Sequence, residues 1–325
     1  MTSKSFFLVG GAGFIGSHLA RHLLGPPHDG IVTIFDNMSS GREWHFSDLL
    51  PNPRFAFVRG DVADLAALTA TMRGHDTVFH LASNPDIAKA QVDPTIDFYQ
   101  GTLLTQQVVE AMRRSGAKTI LYASGSGVYG DLGFVEAKEE DAGALPISTY
   151  GASKLAGESL ISAYCYMFDL RGRSFRFGNV VGPRQTHGVG FDFVKRLLAD
   201  STHLDILGDG RQSKSYIHVD DVIRAMLTAY RGCDKVYDVY NVATGDYITV
   251  AEIAELAVAV VGLTAGKVDL RFSGGDRGWK GDVPIVRLAT DRIRGLGWHC
   301  ERTSREAMQA ALSSMLGDFQ SGRMK

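Results

Sequence analysis

Cysteine is scarce in this chain. Among 325 residues there are three, Cys165, Cys233 and Cys300, an odd number set far apart. They show neither a disulfide framework nor zinc-ligand spacing, so no metal is expected. Long apolar runs are also missing. No stretch reaches the roughly 18 apolar residues of a membrane-spanning helix, so no membrane association is expected. Neither sign of charge dominates. The formal net charge is -2 with no long basic run, so the bulk charge gives no reason to expect nucleic acid. Met1 to Val9 runs directly into a strand pattern and a glycine loop, without a signal peptide's apolar region and cleavage site. Cytoplasm is the expected location, and the glycosylation-type triplet Asn37-Met38-Ser39 is expected to be idle.

Glycine, by contrast, is plentiful at 37 residues, and a mean hydropathy of -0.03 is that of an ordinary soluble protein. Tight turns and close backbone approaches to a ligand follow from so much glycine. The first cluster has a clear context. Phe6-Phe7-Leu8-Val9 reads as a buried strand, Gly10-Gly11-Ala12-Gly13-Phe14-Ile15-Gly16 as a loop, and Ser17 to Leu24 as a helix. Glycines at 10, 13 and 16 allow a tight turn, approach of backbone to a pyrophosphate, and close helix–strand packing.

A second strand, Ile31 to Phe35, ends in Asp36, whose carboxylate can accept both hydroxyls of an adenosine ribose and repel a 2′-phosphate. NAD is therefore expected over NADP, with Arg42 in the next loop as a moderating charge. Phe55 to Arg59 leads into Gly60-Asp61-Val62, where the adenine edge is expected. Thr77 to Leu81 is a fourth strand, followed by Ala82-Ser83. A helical pattern from Pro94 to Ser115 precedes a fifth strand, Ile120 to Ala123. This alternation predicts the α/β class, a doubly wound parallel (Rossmann) sheet with ligands beyond the carboxyl ends of its strands.

After the fifth strand comes Ser124-Gly125-Ser126-Gly127-Val128-Tyr129-Gly130, and then Tyr150-Gly151-Ala152-Ser153-Lys154 ahead of the helical run Leu155 to Phe168. Tyrosine and lysine four apart share one face of a helix. An ammonium near a phenol favours the phenolate, so this pair is expected to lower the tyrosine pKa and to take a proton from a hydroxyl while a neighbouring acceptor takes the hydride. Arg171 to Phe177 is a sixth strand. Beyond it the alternation loosens, with helices near Phe191–Leu198, Val219–Tyr230, Val250–Val261 and Thr303–Leu316, and a frayed end from Phe319. A boundary is placed at 178: residues 1–178 as the cofactor-binding domain, and 179–325 as a smaller, interleaved substrate-binding region.

Together these marks resemble the extended short-chain dehydrogenase/reductases, and within them the nucleotide-sugar epimerases and dehydratases of the UDP-glucose 4-epimerase type. The likeness also rests on His80-Leu-Ala82, Asn179 to Arg184, Gly208-Asp-Gly210, Tyr216-Ile-His-Val-Asp220 and Gly281-Asp-Val-Pro284. It implies NAD held by Gly10, Gly13, Phe14, Ile15, Gly16, Asp36, Asn37, Ser40, Gly41, Asp61, Val62, Leu81, Ala82, Ser83, Tyr150 and Lys154. It implies Tyr150 as base, and Lys154 as holder of the nicotinamide ribose. Substrate is expected at Ser126, Asn179, Arg184 and Lys214, with Arg277 or Lys280 as a further contact to the diphosphate. Family members also commonly pair as homodimers through the two helices around Pro94–Ser115 and Tyr150–Phe168.

Two positions depart from the family. The usual catalytic Ser or Thr, four residues before the tyrosine of Val-Tyr-Gly, is Gly125. Ser126, Ser124 or a water must replace it, with Ser126 favoured. The asparagine that epimerases carry before the fifth strand is Gly101. The Asp-Glu pair of the 4,6-dehydratases would fall at Ser126 and Gly127, where neither acid is present. The expected reaction is therefore epimerisation at C4 of a nucleoside-diphosphate sugar, UDP-hexose favoured. A dehydratase recruiting Glu136, Glu139, Glu140 or Asp141 and a non-catalytic NAD-binding sensor are the alternatives.

Overall fold

A computed structural model of the chain describes residues 4–84, 87–141, 145–264 and 266–324. It resolves into two compact units. One takes Met1–Val128, Ser148–Arg176 and Ile223–Tyr240, and the other Tyr129–Ile147, Phe177–Val222 and Asn241–Lys325.

The doubly wound sheet expected from the alternation forms the first unit. Strands β1 (Ser5–Val9), β2 (Ile31–Asp36), β3 (Phe55–Arg59), β4 (Thr77–His80), β5 (Thr119–Gly125) and β6 (Arg171–Phe177) lie in one seven-stranded sheet with the strand Tyr237–Val242. From that last strand the order runs β6, β5, β4, β1, β2, β3, and the pairings among β1 to β5 are parallel. The chain thus reverses its direction of winding between β1 and β4, the point where such sheets open a ligand crevice. Phe7, Val9, Val78, Ile120 and Tyr122 are buried with Val108, Met112, Ile161 and Cys165 from helices α3 (Leu103–Ser115) and α4 (Thr149–Phe168). These near-continuous apolar strands are what a sheet covered on both faces requires.

Several boundaries differ from the sequence reading for local reasons. The segment expected as one helix from Pro94 opens with a wide π turn, Phe98–Thr102, before α3 begins; Gly116, at φ 91°, ends α3. Gly101 lies in that π turn, where an added Cβ would stand 2.0 Å from Ser153 Oγ. Helix α4 starts at Thr149, ahead of the Leu155 run, because the Ser148 side chain caps it by accepting from Gly151 N at 3.1 Å. Helix α1 (Phe14–Leu24) likewise starts within the glycine motif. The strand Tyr237–Val242 and helix α2 (Leu65–Met72) were not read from the sequence.

The second unit has its own core, in which Phe193, Leu197, Ile253, Ala257, Met308 and Leu312 bring together the helices Val189–Ala199, Val250–Val260 and Ser304–Gln320. The last helix continues through Phe319, expected to be frayed, because that ring stacks on Phe191 at 5.3 Å. Among the described residues no helix is long and apolar enough to cross a membrane, and no group of three or more His, Cys, Asp or Glu could hold a metal ion.

Candidate active site

The glycine loop is built for close approach. Gly10 turns at φ 75°, and a Cβ there would lie 2.5 Å from the Ala82 nitrogen, so the loops leaving β1 and β4 meet backbone to backbone. The Leu81 and Ala82 amides both donate to the Val9 carbonyl, at 2.9 and 3.1 Å. Gly16 packs on Gly11, with 2.5 Å between an added Cβ and the Gly11 Cα. Gly13 is different: a Cβ added there would meet only Gly10 O, in ordinary contact at 3.5 Å, and no side chain caps α1 there. The amides of the first turn, Phe14 and Ile15 among them, are left for an anion.

Asp36 ends β2 with its carboxylate buried. One oxygen accepts from Ala12 N at 3.0 Å and the other from Met38 N at 2.8 Å. Burial pushes its pKa up while these two bonds pull it down. Gly41 packs beside it, and a Cβ added there would lie 3.2 Å from its Oδ1. Arg42 turns onto the Ser40 and Gly41 carbonyls at 3.2 and 3.0 Å. Asn37 donates to Asp61 at 3.1 Å, and Val62 is buried.

Tyr150 sits in the first turn of α4 and Lys154 in the next. The Lys154 ammonium donates to the Ala123 carbonyl at 2.8 Å, and lies 5.1 and 5.5 Å from the ring centres of Tyr122 and Tyr150. Burial pulls its pKa down to about 8, against the pull of Glu158 and Asp97. The expected lowering of the tyrosine is not found in the protein alone. Burial pushes the Tyr150 phenol up to about 12; a hydrogen bond with Ser83 opposes this, and Asp97 reinforces it. His80, fully buried behind Lys154, is held neutral with a pKa near 3, and bonds Thr105 at 3.0 Å.

The two serines of the β5 loop part company. Ser124 donates to the Glu158 carboxylate at 2.5 Å, and Glu158 is paired with Arg176 at 2.7 Å, all three buried. Its hydroxyl is committed to that pair rather than to Tyr150. Ser126 opens the short turn Ser126–Tyr129, half-buried, and among the described residues its hydroxyl has no hydrogen-bond partner. Gly125 lies against the tyrosine, and a Cβ there would make an ordinary contact with Tyr150 Cε1 at 3.9 Å. Ser83, expected only as a cofactor contact, is the serine that meets Tyr150.

In the second unit Asn179 and Tyr216 are register partners in a two-stranded parallel pair; burial pushes the Tyr216 phenol up to about 12, and Asn179 pulls against it. Lys214 is ion-paired with Asp282 at 2.7 Å. Arg277 donates to Asp131 at 2.5 Å and to the Asp282 carbonyl, while Lys280 is exposed. Arg184 adopts a left-handed φ of 66°. In the acidic loop Glu139 accepts from Asn241 N at 2.8 Å and Glu140 pairs with Arg292 at 2.8 Å; Glu136 and Asp141 are exposed.

Residues 6–243 match the model of the NAD dependent epimerase/dehydratase family. The chain belongs to this family. It is 33% identical to a UDP-glucose 4-epimerase of Mycolicibacterium smegmatis, covering 90% of this chain and 92% of that one. It is 32% identical to a dTDP-glucose 4,6-dehydratase of Streptomyces griseus, covering 91% and 94%. A crystal structure of a UDP-galactose 4-epimerase superposes with a TM-score of 0.86 at 33% identity, over 97% of this chain and 99% of the other.

NAD is the cofactor of an epimerase/dehydratase of this family, and the first unit fits it. The uncapped start of α1 suits a pyrophosphate, with Gly13 carrying no side chain there, and Asp36 stands at the end of the next strand. Sequence reasoning missed Asp97 and Glu158. Both are buried carboxylates within electrostatic reach of Lys154. Glu158, one turn beyond Lys154 on the same helix, carried a readable spacing signal; Asp97 carried none.

Proposed function

We propose that this protein is an NAD-dependent epimerase acting at C4 of a nucleoside-diphosphate sugar, UDP-hexose favoured, through a transient 4-keto sugar. The observation that carries this reading is a Tyr150–Lys154 pair beside a serine turn with no carboxylate in it. NAD supplies the hydride acceptor and donor. Tyr150 takes the C4 hydroxyl proton as that carbon is oxidised, and returns it to the opposite-face alcohol after the sugar has turned. Lys154 places a positive charge by the phenol's ring and keeps two further N–H donors for a ribose. Elimination of water would need a second acid and base. Ser126 and Gly127 offer neither, and Glu139 and Glu140 are engaged by Asn241 and Arg292. Asn179, Arg184, Lys214 and one of Arg277 or Lys280 are the proposed contacts to the diphosphate.

The test is incubation of purified protein with a panel of nucleotide sugars and product analysis by NMR. A C4 epimer with no net loss of water is the expected product; a 4-keto-6-deoxy sugar would defeat the reading. We also read the protein as a homodimer through α3 and α4. Tyr166 and Met167 are 69% and 70% exposed, and Leu155 and Leu160 are half-buried, an apolar surface that a partner would cover. Light scattering giving the mass of a single 35.3 kDa chain at micromolar concentration would count against it.

A further inference from the structure

A phenol that must become a phenolate needs a donor on its oxygen. Among the described residues, Ser83, on the loop leaving β4, is the side chain that favours the ionised form of the Tyr150 phenol, and its neighbour Asn84 and the neighbour of Tyr150, Thr149, are bonded to one and the same carboxylate. Asp97, 1% exposed, accepts from Asn84 Nδ2 at 2.9 Å with one oxygen and from Thr149 Oγ1 at 2.7 Å with the other. Asn84 follows Ser83, and Thr149 precedes Tyr150. One buried carboxylate therefore joins the two segments that carry the two hydroxyls. A carboxylate in that position costs desolvation, which its two hydrogen bonds offset only while both segments stay in place. Position 125 offers no hydroxyl, and Ser124 is bound to Glu158.

We propose that Ser83 is the hydroxyl that serves Tyr150 in proton transfer, in place of the side chain that Gly125 lacks, and that Asp97 is the positioning residue that holds the two together. The proposal rests on Tyr150 being the base. When Tyr150 has lost its proton, Ser83 donates its O–H to the phenolate oxygen. When Tyr150 has taken the C4 hydroxyl proton, that bond persists with either oxygen as donor, so no net charge is created on the serine. The other titratable groups facing this pair are Lys154 on the same helix, Asp97 before the π turn, and Tyr122 on β5. None of them is altered by a change at Ser83.

The experiment follows Tyr150 ionisation by NMR in NAD-loaded protein carrying ring-carbon-labelled tyrosine, the signal being assigned with Tyr150→Phe. Ser83→Ala should move the midpoint of Tyr150 ionisation upward, and Ser83→Thr should leave it near the starting value. Adding Gly125→Ser to Ser83→Ala should bring it back, because a side chain at position 125 is tolerated in ordinary contact with the same ring, its Cβ 3.9 Å from Tyr150 Cε1. On whichever sugar nucleotide is converted, Ser83→Ala should lower kcat by about 10²-fold, with partial recovery in the double variant. NAD content and circular dichroism, checked in each variant, separate lost cofactor from lost chemistry. An unmoved midpoint and rate in Ser83→Ala, or the same losses in Ser126→Ala instead, would overturn the assignment. If no nucleotide sugar is converted, the epimerase reading falls, and the ionisation midpoint alone still decides the role of Ser83.

Discussion

Lys154 holds its ammonium 5.5 Å from the centre of the Tyr150 ring and gives a hydrogen bond to the Ala123 carbonyl, not to the phenol oxygen. A cation placed over a ring face interacts with the π system of the neutral phenol as well as with the charge of the phenolate. Burial of the phenol then decides the balance, and its pKa rises to about 12 in the protein alone. In the proposed reaction the pair therefore needs a further favourable charge or hydrogen bond on the phenol before Tyr150 can act as a base.

Lys154 itself should limit the stability of the cofactor-free protein. Its folded pKa, about 8, lies below its ordinary value of 10.5. Between those values the unfolded chain binds more protons than the folded one, so stability rises with pH across that window. Below it, the full cost of a buried ammonium is present. Lys154→Met should therefore unfold at a higher temperature than the parent at neutral pH, with the gap closing as pH rises through the window. Turnover should fall by at least 10²-fold in the same variant. A lower melting temperature for Lys154→Met at pH 7 would show that its bond to Ala123 outweighs the desolvation.

Asp36 should set cofactor choice. Both of its oxygens face backbone N–H groups, and Arg42 is turned onto its own loop's carbonyls instead of toward the carboxylate, which is left to repel a 2′-phosphate. Equilibrium binding should favour NAD over NADP by at least about tenfold, a difference of about 1.4 kcal/mol. Asp36→Ala should erode the preference while costing about 1–3 kcal/mol of stability, since the Ala12 and Met38 amides lose their acceptor. Tighter NADP binding by the unaltered protein would reject the role.

The sheet was legible in the sequence because its strands are short apolar runs closed by glycine or a charged residue, and its glycine loop sits where backbones must touch. Tyr150 and Lys154 were legible because helix periodicity alone puts them on one face. What the sequence did not disclose depends on contacts distant along the chain. Nothing near Ser83 announces that it meets Tyr150, and nothing near Asp97 announces that it links Asn84 to Thr149. The serine pair around Gly125 was half legible: strand alternation turned Ser124 away from residue 125, but its partner Glu158 comes from α4. The cations of the second unit were chosen by charge, and charge does not reveal that Asp282 and Asp131 already pair with two of them.

The Glu158–Arg176 pair should behave as a structural element of the first unit. Both side chains are almost fully buried and bonded through two nitrogens of the guanidinium. Removing one partner strands a charge, so Arg176→Met should cost about 3–5 kcal/mol in urea unfolding. Replacing both, Glu158→Leu with Arg176→Met, should recover much of that loss. Ser124→Ala should cost about 1 kcal/mol, the worth of one hydrogen bond. An Arg176→Met variant as stable as the parent would mean that water reaches the Glu158 carboxylate.

The diphosphate contact should follow pre-positioning rather than exposure. Lys280 is exposed, and a free lysine must lose rotamer freedom before it can hold a phosphate. Lys214 is already ordered by Asp282, and Arg277 by Asp131 and the Asp282 carbonyl. Acid partners reduce the net charge of these cations but leave N–H donors available, three on an ammonium and five on a guanidinium. Calorimetric titration with UDP should therefore weaken by about 10–100-fold in Lys214→Met, the loss of one charge-assisted hydrogen bond. Arg277→Lys should weaken binding too, because a point charge cannot keep both Asp131 and the Asp282 carbonyl while facing a phosphate. Lys280→Met should change the affinity by less than about threefold, within the range of an exposed ion pair. The reverse ranking, with Lys280→Met the most damaging, would move the diphosphate to the exposed side of the loop and leave the Lys214–Asp282 pair with a purely structural role.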